Sequence, residues 1–425
     1  MARIAIIGSG YVGLTTGACL AHLGHDVVCA DVDAEKVARL SNGDVNILED
    51  RLPQLVREGL DDDRLRFVVG AANAAADCEV VFLCVPTPQN PDGTVDLSFI
   101  EGASRELAPV LAFEAIVVNK STVPVGSTRV VERVLERPDV TVVSNPEFLR
   151  EGSAVQDFLH PDRIVIGSED QSAAIKVLSL YLGVSAPTVV TDPASAETIK
   201  YAANAFLAMK LSFVNAIAAV CEGVGADVDD VLLGLGHDTR IGSEFLRPGP
   251  GWGGSCFPKD TKALVRMAEQ GGYDFRLLDG VIAVNEEQFA RVVDKVRRSA
   301  GGDLSGRTVA VWGLTFKAGT DDLRDSPALE IIVRLLDQGA LVQAFDPTVS
   351  SVDGLPSGTS VVASPMEACE RADVLVVLTE WDEFRWQDPA AVAAGMTGRA
   401  VVDARNLLDR ARWQRHGFDY RGIGR

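Results

Sequence analysis

The chain carries two series of short, unbroken apolar runs. RIAII, DVVCAD, EVVFLCVP, AIVVNKS, VTVVS and RIVIG fall between residue 3 and about 190; RTVAVWGLTFK, ALVQAFD, ADVLVVLTE and RAVVDARN follow after residue 306. A strand with one wet face alternates apolar and polar residues, whereas an unbroken apolar run is buried on both faces, as in the middle of a parallel sheet. Helical patterns separate the runs, so each series predicts a doubly wound α/β domain. Between them, ASAETIKYAANAFLAMKLSFVNAIAAVCEGVG holds good helix formers and no proline, and predicts a long helix from about 195 to 222. The expected organisation is α/β: two Rossmann-like doubly wound domains, 1–192 and 301–425, joined by a long central helix and a helical connector and dimerisation domain, 193–300.

GSGYVG lies where the first strand turns into a helix. Gly8, Gly10 and Gly13 permit the tight turn, close approach to a pyrophosphate and close helix–strand packing, with Tyr11 and Val12 opening the helix. The second run ends in Asp31, placed to accept hydrogen bonds from both ribose hydroxyls and to repel a 2′-phosphate. This favours NAD over NADP; FAD, which uses the same turn, is the closer rival.

Formal net charge is -20, which disfavours nucleic acid and an anionic membrane surface as partners. An anionic ligand would need locally placed cations. The N-terminus lacks a signal-peptide pattern, and by this reading no apolar run approaches the ~20 residues of a membrane helix. Seven scattered cysteines without C-x-x-C spacing fit a reducing compartment, and the five histidines form no ligand cluster. The expectation is a cytoplasmic protein with no metal, no membrane and no nucleic acid.

One cysteine stands apart. In GWGGSCFPKD, Cys256 precedes Pro258, which suits a first helical turn, and the helix should run to the stop at Gly271-Gly272. A helix N-terminus with Lys259 and Lys262 nearby favours thiolate, and Gly251, Gly253 and Gly254 would let a substrate reach the sulfur. The strand-end loops KSTVPVGST and SNPEFLREGSA offer Ser121, Thr122, Glu147, Arg150 and Glu151. Lys200 and Asn204 share a helix face, and their small or apolar neighbours leave a surface role slightly favoured on local grounds.

The ordered set GSGYVG, KSTVPVGST, NPEFLREG, KYAANAFLAMK, RIGSEFL, GWGGSCFPKD, GLTFKAGTDDLRDS and VVDARN resembles the UDP-glucose/GDP-mannose dehydrogenase family over nearly the whole chain. Phe206, Phe257 and RIGSEFL lean toward its UDP-glucose 6-dehydrogenase branch. The resemblance implies an NAD-dependent, four-electron oxidation of UDP-glucose to UDP-glucuronate. Cys256 would be the nucleophile, with Lys200 and Asn204 stabilising the oxyanion. Asp260 would accept a proton through a water shared with Thr122, and Glu147 would assist thioester hydrolysis; whether Lys200 or Asp260 is the formal base is left open.

The resemblance also assigns binding residues. NAD would meet the glycine turn, Asp31, Lys36, Thr87, Thr122, Glu151, Lys259 and Arg324. UDP-glucose would meet Glu147, Phe148, Leu149, Arg150, Glu151, Lys200, Asn204, the loop Phe245, Leu246, Arg247, Pro248 and Gly249, then Gly253, Lys317 and Arg405. Arg240 would reach a neighbouring subunit of a homodimer. DVNILEDRL departs from a Tyr-Glu-Pro-Gly-Leu-like turn, which puts that loop in doubt. GDP-mannose oxidation, a two-electron β-hydroxyacid dehydrogenase and a non-catalytic nucleotide-sugar sensor are the competing readings; the last two have no use for the cysteine segment.

Overall fold

The computed structural model describes residues 1–90 and 92–425, and they form two compact units, Met1–Ala203 and Asn204–Arg425. The first holds strands β1 (Arg3–Ile7), β2 (Asp26–Asp31), β3 (Leu65–Val69), β4 (Val80–Leu83), β5 (Ile116–Asn119), β6 (Thr141–Ser144), β7 (Ile164–Gly167) and β8 (Thr188–Thr191). Their order is β3-β2-β1-β4-β5-β6-β7-β8. All neighbours are parallel except β6 and β7, which meet antiparallel at Ser144 and Gly167.

The register explains the unbroken runs. Ile4 lies between Val27 and Val80, and Ile7 between Ala30 and Leu83. Successive side chains point to opposite faces. Ile4, Ile6, Val27 and Phe82 enter one core, while Ala5, Ile7, Val28 and Val81 enter another on the opposite face. Neither face of the central strands meets water.

The second unit repeats the scheme with β9 (Thr308–Trp312), β10 (Leu341–Phe345), β11 (Thr359–Val361), β12 (Val374–Val377), β13 (Ala400–Asp403) and β14 (Asp419–Arg421), in the order β11-β10-β9-β12-β13-β14. Val309 and Val374 feed one core, Ala310 and Leu375 the other. In both sheets the strand order reverses beside the first strand, so the loops at its C-terminal end open a crevice. The expected α/β class and its doubly wound sheets are therefore present. The strands without an apolar signature are β3, β8, β11 and β14. β3 alternates buried and exposed residues, β8 is largely exposed, and β11 and β14 have three residues each, as strands at or near sheet edges do.

The long helix spans Pro193–Val224, two residues beyond the expected bounds at each end. Contrary to expectation, it is long and apolar enough to cross a membrane by length and composition, with a mean hydropathy of 1.5 in its richest window. Its polar side chains hydrogen-bond to protein, as those of a core helix do: Ser212 Oγ donates to Val281 O and Asn215 Oδ1 accepts from Gly249 N.

The atypical stretch DVNILEDRL ends in a turn that enters the helix Leu52–Asp61. Its N-cap is Arg51, in left-handed backbone at φ 63° with an exposed side chain. Glycine takes that conformation at no steric cost. Arg51→Gly should therefore raise the midpoint of thermal unfolding by about 2 °C; a lowered midpoint in calorimetry would contradict this account of the turn.

Candidate active site

In the first unit the three glycines of GSGYVG have separate reasons. Gly8 has φ 96°, and a Cβ there would lie 2.6 Å from Cys84 O; one on Gly13 would lie 1.8 Å from Gly8 O. Both serve the protein's own packing. A Cβ on Gly10 would meet nothing within 4 Å, and no side chain caps the helix Tyr11–His22 that begins there. Open space beside uncapped N–H groups fits a pyrophosphate. Asp31, at the end of β2, accepts from Ser9 N at 3.1 Å, Ser9 Oγ at 2.7 Å and Lys36 Nζ at 2.8 Å. Burial works against its charge, but the Lys36 ammonium and the Ser9 donors bring it down to about 2. These residues fit a dinucleotide with a free ribose 2′-hydroxyl.

Thr87 follows β4, Thr122 follows β5 and Glu147 follows β6, all at C-terminal strand ends of one sheet. Glu147 and Lys200 are both buried, with Nζ 2.9 Å from Oε1; Leu149 N donates to the other oxygen at 2.7 Å. Burial alone would raise the Glu147 carboxyl, but the Lys200 ammonium and the Leu149 N–H hold it below the usual range. Phe148 lies beneath the Arg163 guanidinium, 3.6 Å from ring centroid to Cζ, with Lys200 Nζ 5.5 Å away. Arg150 pairs with Asp157 at 2.6 Å, and Glu151 is half-buried. The surface role that local reasoning favoured for Lys200 and Asn204 is overturned: they are 3% and 7% exposed.

In the second unit Cys256 is the N-cap of the helix Phe257–Gln270, with Pro258 in the first turn. Six of the seven cysteines are buried, and Cys256 is partly exposed. Burial pushes the thiols of Cys19, Cys84 and Cys369 up to about 12, so they are inert near neutrality. Ser255 Oγ lies 3.6 Å from the Cys256 sulfur. One turn on, Asp260 is wholly buried; Asn204 Nδ2 donates to its Oδ2 at 2.6 Å and Lys259 Nζ to its Oδ1 at 2.7 Å. Lys259, expected at the cofactor, is thus also the counter-ion of Asp260.

The glycines before the cysteine correct an expectation. Rather than clearing an approach, they pack against the protein. A Cβ on Gly251 would lie 2.4 Å from the Phe289 ring, on Gly253 1.9 Å from Asp325 O, and on Gly254 2.8 Å from the Phe316 ring. The expected substrate loop has Leu246, Pro248 and Gly249 buried and Arg247 exposed, and Phe245 takes a left-handed φ of 61°. Arg405 donates to Leu378 O at 2.8 Å and Phe316 O at 2.9 Å and pairs with Glu380 at 3.0 Å. Lys317 Nζ lies 5.6 Å from the Phe316 centroid. Arg324 chelates Asp322, and exposed Arg240 pairs with Asp238, each at 2.6 Å.

Several supporting residues escaped the sequence reading. Lys120 is buried, bonds Asn145 Oδ1 at 3.1 Å and adds positive charge near Glu147. Glu197 on the long helix accepts from Gly126 N and Thr128 N at 2.6 and 3.0 Å, holding the loop after β5 that carries Thr122. Asn285 grips Trp252 through both N–H and C=O, and Gln288 Nε2 donates to Gly249 O at 2.7 Å. Lys120 and Glu197 stand in segments already singled out, but only burial marks them; Asn285 and Gln288 carry no local signal.

Comparison with known proteins accords with this geometry. Residues 2–184 match the NAD binding domain of the UDP-glucose/GDP-mannose dehydrogenase family, 194–287 its central domain and 310–410 its UDP binding domain. A UDP-glucose 6-dehydrogenase of Rhizobium meliloti is 47% identical, covering 100% of this chain and 99% of that protein. One from Pseudomonas aeruginosa is 44% identical, covering 100% and 97%. The solved UDP-glucose dehydrogenase of the hyperthermophilic archaeon Pyrobaculum islandicum superposes with a TM-score of 0.93 at 37% identity, over 100% of this chain and 98% of that one. With all three domain models matched in order and full-length relatives above 40% identity, the chain belongs to the UDP-glucose/GDP-mannose dehydrogenase family.

Proposed function

We propose that the protein oxidises the primary alcohol of UDP-glucose to the carboxylate of UDP-glucuronate. The observation that carries this reading is the partly exposed Cys256 at a helix start, one turn from the buried Asp260 and its partners Asn204 and Lys259. NAD, when bound by the glycine turn and Asp31, accepts one hydride in each of two oxidations. Asp260 takes the alcohol proton through a water shared with Thr122. The Cys256 thiolate adds to the aldehyde carbon, so the intermediate stays bound, and Lys200 with Asn204 stabilises the resulting oxyanion. Loss of the second hydride leaves a thioester. Glu147, kept ionised by Lys200, takes a proton from water as it attacks the acyl carbon, and the thiolate departs.

UDP-glucose is held by Phe148–Glu151, Phe245–Gly249, Gly253, Lys317 and Arg405, with the domains bounded at 1–192, 193–300 and 301–425. Phe206, Phe213 and Val220 recur every seven residues on the long helix and stay 58%, 52% and 57% exposed. A second copy of the chain covers that stripe, and Arg240 serves the partner's site. An acidic chain with free cysteines suits the cytoplasm, without nucleic acid or membrane as partner.

Two NADH should appear per UDP-glucose consumed; a ratio of one would remove the four-electron reading. Cys256→Ala should lower kcat by on the order of 10³-fold or more while NAD binding, measured by calorimetry, is retained, and undiminished turnover would refute the covalent role. Glu147→Gln should keep a pre-steady-state burst of NADH but slow the following phase about 10²-fold or more; loss of the burst instead would place Glu147 before the thioester. The Glu147 carboxyl is held below its ordinary 4.5. Its ion pair with Lys200 is therefore intact above that pH and lost as pH falls through the depressed value. A pH–kcat profile should show no limb from Glu147 between about pH 5 and 8; one that Glu147→Gln abolishes in that range would contradict the assignment.

A further inference from the structure

Glu49 lies in the atypical stretch DVNILEDRL, where LEDRL keeps the acid of the Tyr-Glu-Pro-Gly-Leu-like turn it otherwise departs from, and it is 5% exposed. Its carboxylate has no cationic partner among the hydrogen bonds and ion pairs of the described residues. It is met instead by neutral donors from two places. The Tyr11 hydroxyl donates to Oε2. Gly152 N also donates to Oε2, at 2.8 Å, and Val155 N approaches Oε1 at 3.4 Å. Gly152 N is shared with Tyr11 Oη at 2.9 Å, which closes a triangle of Tyr11, Glu49 and Gly152. A carboxylate out of water demands such donors, because each replaces a lost water contact.

The two places it joins are chemically significant. Tyr11 is the first residue of the helix whose uncapped start faces the open space at Gly10. Gly152 and Val155 belong to the stretch after β6 that carries Glu147 and Glu151. Burial, and then the Glu49 carboxylate, push the Tyr11 phenol well above its ordinary range, so it stays protonated as the donor. The helix Leu52–Asp61, seated through Leu52, Leu55 and Val56 in the core, anchors the segment that delivers Glu49.

We infer that Glu49 is a positioning residue for cofactor binding: through Tyr11 and Gly152 its carboxylate holds the Glu147–Val155 stretch against the start of the dinucleotide helix. The inference rests on the reading that this turn binds NAD. On this account Glu49 acts through its protein partners Tyr11, Gly152 and Val155. Removing its charge leaves one acceptor oxygen and introduces an NH2 group facing N–H and O–H donors, so the stretch loses its fixed register beside the cofactor.

The test is calorimetric titration of the full-length protein with NAD, without sugar, alongside steady-state kinetics. Glu49→Gln should weaken NAD binding about tenfold, as loss of a charge-assisted contact implies, and raise KM for NAD similarly. KM for UDP-glucose should change less than about threefold. A merely structural residue would lower thermal stability and active fraction while the folded remainder kept wild-type affinity, and that result would overturn the inference. If Glu49→Gln does not fold, Tyr11→Phe decides. It removes one donor and leaves the two N–H contacts, so NAD binding should weaken about threefold; unchanged affinity would overturn the inference. A wild type that binds NAD but does not release two NADH per UDP-glucose would overturn the proposed reaction and leave this inference standing.

Discussion

Taking a carboxylate out of water costs several kcal/mol unless donors replace the hydration it loses, and the candidate site residues of this protein are arranged around that demand. Glu147 is met by Lys200 and Leu149 N–H, Asp260 by Lys259 and Asn204, Asp31 by Lys36 and Ser9, and Glu49 by Tyr11 and Gly152. Each pairing draws together segments distant in sequence or binds a loop to a helix. Each carboxylate thereby regains donors for the water it has lost, and the groups that supply them are fixed in place around it. Removing a single partner would leave a buried charge unanswered, so such positions tolerate little change.

The two sheets make the arrangement possible. Strands buried on both faces cannot offer side chains to a ligand along their length, so chemistry collects in the loops at their C-terminal ends. Asp31, Thr87, Thr122 and Glu147 all follow or end strands of the first sheet. The long helix adds Lys200 and Asn204 one turn apart, the first paired with Glu147 and the second with Asp260. Glu197 on the same helix fixes the loop after β5. A helix so rich in alanine can bring its backbone near such loops while exposing few large side chains to them.

Much of this was legible in the sequence because the signals are local. Unbroken apolar runs reported double burial, GSGYVG reported a strand–turn–helix, and Pro258 after Cys256 reported a helix start; each depends on backbone geometry within a few residues. Edge strands such as β11 and β14 escaped because three residues with one open side leave no pattern. The glycines before Cys256 were misread because a missing Cβ looks the same whether a ligand or Phe289, Asp325 and Phe316 occupy the space.

The sequence by itself determined the fold class, the cofactor turn and the cysteine at a helix start, since short-range periodicity and turn chemistry suffice for these. Only the tertiary structure decided which charges are buried and what answers them. Local pattern alone favours a surface place for Lys200, whereas its ammonium is buried 2.9 Å from Glu147, 53 positions earlier in the chain. Glu49 carried no sign of burial until Tyr11 and Gly152 closed around it. Desolvation is a property of everything packed around a group, and no window of neighbouring residues contains it.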